Sequence, residues 1–207
     1  MVGIMDIVLP AGSLVVLIGV SGSGKSTFAE RHFRSTEILS SDAFRAIVAD
    51  DPADQRASRA AFELLHLAAR RRLERRRLTV VDATNVTRLA RGELLSIARA
   101  ARRPAVAIVL DPPFEICLAR NAARDGRSVD VAVIRRQSDE LRATLDDPAD
   151  LRREGFAAVH VLAEPLDGVT IVRAGPSGRR ASGEAGTAAG TIAAARARRP
   201  AERRTAR

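Results

Sequence analysis

The chain has no tryptophan or tyrosine, one cysteine, three histidines and a single lysine. Each scarcity closes off some chemistry. Cys117, alone, cannot form an internal disulfide and suits a reducing cytosol, where its expected role is that of a small buried apolar residue. His32, His66 and His160 lack the spacing of a ligand set, so no metal is assigned to them. With six phenylalanines as its only benzenoid rings, the chain has few groups to stack on an adenine. No apolar run approaches the roughly 18 residues of a membrane span. Residues Met1 to Pro10 also lack the basic start of a targeting segment. A cytoplasmic protein without membrane association is therefore expected.

What the chain does have is length, apolar residues and arginine. Its 207 residues, 46% of them hydrophobic, suffice for one α/β domain and a tail. The net charge is +9, and +6 of it falls between Ala174 and Arg207, a stretch rich in Ala, Gly and Arg. That stretch has almost no large apolar side chain to offset the entropy of ordering, so 174–207 is expected to be a disordered basic tail behind a domain at 1–173. Such a tail either adds salt-dependent affinity for nucleic acid or is simply a solvated terminus.

Within the domain, strand-like runs alternate with helical patterns, which predicts a parallel sheet covered by helices. The runs are Ser13 to Ile18, Thr36 to Leu39, Leu78 to Val81, Pro104 to Leu110 and Ala157 to Leu162. Helices are expected over Asp54 to Arg77, Val86 to Ala101, Pro113 to Ala123 and Val129 to Asp146. In the first of these, Ala61, Leu64, Leu65, Ala68 and Leu73 form the expected inner stripe.

Between the first strand and the helix that begins around Thr27 lies Gly19-Val20-Ser21-Gly22-Ser23-Gly24-Lys25-Ser26, which fits the phosphate-loop pattern G-x-x-x-x-G-K-[ST]. The only lysine among 34 basic residues stands at the position that needs a compact ammonium rather than a planar fork. Backbone amides and a helix N-terminus would here face an anion. Gly19, Ser21, Gly22, Ser23, Gly24, Lys25, Ser26 and Thr27 are assigned to ATP, and the Ser26 hydroxyl to Mg²⁺.

Further candidates stand at strand ends, where ligands of open α/β sheets bind. Asp42 follows the second strand, with Arg45 three residues on and on the same face if a helix begins there. The carboxylate would take a hydroxyl proton while the guanidinium held a neighbouring anion. Helix capping is the other reading of Asp42. Asp82 ends the third strand and, with Asn85, is placed beside the acceptor or a magnesium-bound water, again with a cap as the alternative. Arg120, Arg124 and Arg127 form one stripe if their helix continues. They are either a lid over the phosphates or a solvated face.

Taken together, Gly22-Ser23-Gly24-Lys25-Ser26-Thr27-Phe28-Ala29, Ser40-Ser41-Asp42, Leu78 to Val86 and Arg120-Asn121 leading to Arg127 resemble the kinase module of bacterial polynucleotide kinase-phosphatase, over Leu14 to Val172. Asp51, Asp54, Gln55 and Arg152 to Phe156 are similar as well. The resemblance implies a P-loop kinase fold with a five-stranded parallel sheet between helices and an arginine lid. It implies transfer of the γ-phosphate of ATP to a 5′-OH of RNA or DNA. Lys25 and Ser26 would handle phosphates and Mg²⁺, Asp42 would be the general base and Arg45 an acceptor contact, while Arg120 and Arg124 would meet ATP phosphates, with Arg127 as a further lid arginine. Relatives of that kind carry phosphatase and often nucleotidyltransferase domains, so repair partners in trans are a corollary. A kinase of the same fold acting on a sugar, nucleoside or antibiotic hydroxyl is the rival reading. A non-catalytic ATP-binding switch is the rival from another class.

Overall fold

A computed structural model describes residues 5–124, 128–147, 149–164 and 168–175. Five strands form one wholly parallel sheet in the order β3-β4-β2-β5-β6. They are β2 (Leu14–Ile18), β3 (Ile38–Ser40), β4 (Thr79–Asp82), β5 (Ala105–Leu110) and β6 (Ala158–Leu162). β2 is central, pairing Leu14 to Val16 with Thr79 to Val81 of β4 and its whole length with Leu14↔Ala105 through Ile18↔Val109 of β5. The sheet therefore has the number and direction of strands that the alternation predicts.

The continuous apolar runs of β2 and β5 have a simple cause: both faces are covered. Leu14, Val16 and Ile18, with Ala105, Ala107 and Val109, pack on α3 (Ser58–Glu74), α4 (Arg88–Ala100), α5 (Phe114–Ala122) and α6 (Val131–Leu145). Val15, Leu17, Val106, Ile108 and Leu110 face the other way, onto Phe28 and Ala29 of α1 (Lys25–His32) and onto Ile7 and Leu9. Chain direction matters for the site. Leaving β2 for α1 takes the chain to one face, whereas leaving β4 for α4 takes it to the other, which opens a crevice at the carboxyl edge between them.

Three findings differ from the expected organisation. Met5–Leu9 (β1) and Val169–Arg173 (β7) pair in parallel as a separate two-stranded sheet, Met5↔Val169 through Leu9↔Arg173. Arg173 closes this pair onto the turn before β3 with two 2.8 Å bonds to Glu37. In α3 the buried stripe is Ala61, Leu65, Ala69 and Leu73, a strict i+4 row, while Leu64 is 41% exposed and Ala68 half-buried. The helix also starts later than expected. Asp54 accepts a bond from the Arg56 amide and opens a 3-10 turn at Gln55–Ala57. The tail expected over 174–207 lies outside the described residues beyond Gly175. Among the described residues no helix is long and apolar enough to cross a membrane.

Candidate active site

The site is built where β2, β3 and β4 end. The loop 19–24 leaves β2 and feeds α1, whose N-cap Gly24 has φ 90°, a left-handed value that glycine adopts without strain. Gly22 is fixed by space as well as by its φ of 82°: a Cβ there would lie 2.2 Å from the Cys117 carbonyl oxygen of α5. The loop is tied to its neighbour by Gly19 N–H donating to Thr84 O at 3.0 Å. Cys117 itself is buried, and burial raises its thiol pKa, in keeping with a packing role.

Lys25 is 8% exposed and folds back over its loop, donating to Val20 O at 2.7 Å and Ser23 Oγ at 3.3 Å. Its pKa is lowered to about 8, chiefly by burial and with a contribution from Arg124, against the opposing pull of Asp82, Cys117 and Asp42. The sign of the pH dependence follows. Polyphosphate oxygens placed around Lys25 would raise its pKa in a bound state. Below pH 8 the ammonium is charged with or without nucleotide, so affinity is flat. Above pH 8 binding must take up a proton, so ATP affinity falls by up to about tenfold per unit. Calorimetry at pH 7, 8 and 9 in buffers of different ionisation enthalpy should show proton uptake growing only above 8.

Asp82 is buried beside Lys25, and Ser26 Oγ donates to its Oδ2 at 2.8 Å. Burial raises the Asp82 pKa, while the Ser26 bond and the Lys25 ammonium lower it. A hard cation fits this pair, which offers one anionic and one neutral oxygen at the start of α1. Among the described residues no group of three or more His, Cys, Asp or Glu could hold a metal. An ion here would therefore need nucleotide phosphates and water to complete its shell.

Ser40 is the register partner of Asp82, so Asp42, in the first turn of α2 (Ser41–Ala49), stands at the same edge of the sheet. Its side chain is 36% exposed and its field reaches both Lys25 and Asp82. Arg45 is buried and committed. Its Nη2 holds Asp42 Oδ1, and its Nε donates to Pro52 O at 2.8 Å. It thus fixes the aspartate first, and its three remaining N–H groups are what it could offer an acceptor.

Arg124 acts on both Lys25 and Asp82, which puts it in the field of the loop. Arg120 hangs over the same loop, with Nη1 3.6 Å from where a Gly24 Cβ would be, and donates to Glu164 Oε1 at 2.7 Å. Arg127 lies outside the described residues. Asn85 departs from its expected place with the acceptor. It is 3% exposed, and its Nδ2 donates to Leu17 O at 2.8 Å and Ala83 O at 3.3 Å. Its φ of 48° gives the reason for asparagine: the turn after β4 is left-handed, and the amide pins it to β2.

One site residue escaped sequence reasoning. Gln137 of α6 accepts a bond from the Ser21 amide at 2.8 Å. Its signal was a polar residue on the stripe of Ile134 and Leu141, both buried. Two concavities of about 600 and 390 Å³ flank α4 and touch none of these residues.

Many solved structures share this fold. A chain of the Pnkp1/Rnl/Hen1 RNA repair complex aligns with a TM-score of 0.55 at 20% identity, covering 70% of this chain and 47% of its own. A candidate kinase from Chloroflexus aurantiacus J-10-fl gives 0.53 at 16%, covering 75% and 92%. Kti12 from Chaetomium thermophilum, in complex with ADP-AlF3, gives 0.51 at 17%, covering 74% and 90%. At such identities the likeness is one of fold, here the P-loop kinase α/β fold. No curated protein matches the chain in sequence. Residues 14–148, which span the phosphate loop, Asp42, Asp82, Arg120 and Arg124, match the AAA domain family, and the chain belongs to it.

Proposed function

We propose that the protein is an ATP-dependent kinase that moves the γ-phosphate to the 5′-OH of RNA or DNA. The observation that carries this reading is Asp42, held by Arg45 at the sheet edge that also bears Lys25 and Asp82. A carboxylate so placed can orient and deprotonate a hydroxyl directed at the terminal phosphate. Lys25 and the loop amides hold the β- and γ-phosphates, and Arg120 and Arg124 neutralise charge as the phosphoryl group moves in line. Mg²⁺, when bound, would supply positive charge that draws electron density from the phosphates. Ser26 and Asp82 are the residues to hold it.

A small-molecule hydroxyl is the second reading, and Arg45 favours it. With two donors spent on Asp42 and Pro52, this arginine has less to offer an acceptor phosphate. A pure ATP switch has no use for Asp42 in this position. Affinity for a labelled 5′-OH oligonucleotide, measured at 50 and 200 mM salt, separates the acceptors. Three or four phosphate contacts would weaken binding about tenfold or more over that range. Absence of oligonucleotide binding would transfer the proposal to a small hydroxylated acceptor.

A further inference from the structure

The Val20–Ser21 peptide is engaged at both ends. Its carbonyl oxygen accepts from Lys25 Nζ at 2.7 Å, and its N–H donates to Gln137 Oε1 at 2.8 Å. One rigid peptide plane therefore joins the loop lysine to a helix 116 residues further along the chain. Ser21 is buried, so its N–H has little water to fall back on. Gln137 sits between Ile134 and Leu141, whose burial in the core holds α6 against the sheet. The glutamine reaches the loop from a fixed base.

The geometry points to Gln137 as a positioning residue that sets the terminal-phosphate end of the loop. The loop lysine of this motif reaches the β- and γ-phosphates. Because Lys25 Nζ rests on Val20 O, the 20–21 peptide lies beside the ammonium that meets the terminal phosphate. Turning that peptide would take the carbonyl from Lys25 and aim it toward incoming phosphate oxygens, a repulsive contact. Gln137 holds it in the orientation that leaves the ammonium facing the nucleotide. A third phosphate should feel this constraint far more than the first two. Gln137 then contributes to preference for a triphosphate over a diphosphate, a role that rests on the nucleotide-binding reading above but not on the identity of the acceptor.

The test measures ATP and ADP affinity by calorimetry on the full chain, with melting curves as a control on folding. Gln137→Met keeps the volume and removes the acceptor oxygen. It should weaken ATP about tenfold, as expected for one buried N–H left unpaired, and change ADP by less than about twofold. Gln137→Glu keeps the acceptor, and so the peptide orientation, but places a negative charge at the γ end. It should melt like wild type and lower the ATP-to-ADP affinity ratio at least as much. A wild-type or raised ratio in both variants would overturn the assignment of Gln137 alone. A wild-type chain that binds neither nucleotide would overturn the functional reading with it.

Discussion

Asp42→Asn is expected to lower phosphoryl transfer about a thousandfold while changing ATP affinity by less than about threefold. Asparagine retains an oxygen for the Arg45 guanidinium and nearly the shape of the carboxylate, and with 36% of its side chain exposed the position bears little of the core. What it loses is the ability to accept a proton, and a positioned general base is worth about 10²–10⁴ in rate. ATP binding is spared because the loop amides, Lys25 and Ser26 make their contacts independently of α2. Single-turnover rates alongside equilibrium ATP titration separate the two effects. Turnover close to wild type in this variant would remove Asp42 as the base.

Arg91→Met is the second substitution with a large expected effect, this time on stability. Arg91 is 2% exposed and every donor group is engaged: Nε and Nη2 bond Glu154 at 2.8 and 2.7 Å, and Nη1 bonds Asn85 O and Val86 O at 3.1 and 2.6 Å. It thereby locks α4 and α7 (Ala149–Glu154) to the turn that follows Asp82. Removing one partner leaves the Glu154 carboxylate buried and unpaired, which costs about 3–5 kcal/mol. Against a total stability of about 5–15 kcal/mol, that is a large share. Denaturant unfolding should show the loss in Arg91→Met and a much smaller one in the double variant with Glu154→Leu, since no isolated charge then remains. Equal losses in the two would mean that the ion pair does not carry the cost.

The parts of the molecule that were legible in the sequence are those whose cause is local. The phosphate loop is eight consecutive residues whose types are dictated by backbone approach and one ammonium. Strands β2 and β5 are continuous apolar runs because both faces of the sheet are covered there. Residue pairs far apart in sequence were not legible. Strand β1 shows the period-two pattern, with Ile7 and Leu9 inward, yet nothing in Met5–Leu9 announces Val169–Arg173 as its partner. Leu64 misled because a wide apolar face was expected on α3, whereas a narrow i+4 row suffices against α4 and the sheet. Asn85 misled because its position at a strand end suits chemistry, while its left-handed backbone and inward amide serve the turn. Arg45 has the expected partner in Asp42, but its bond to Pro52 O depends on how the loop after α2 returns, which no spacing rule supplies.

The central claim, phosphoryl transfer from ATP at this loop to a polynucleotide hydroxyl, is tested most directly by label transfer. Purified protein, Mg²⁺ and γ-labelled ATP are incubated with 5′-OH RNA and DNA oligonucleotides, with Lys25→Ala as the blank. The account predicts label at the oligonucleotide 5′ end with wild type and none with the variant. Measurable ATP binding without label on any oligonucleotide would contradict it.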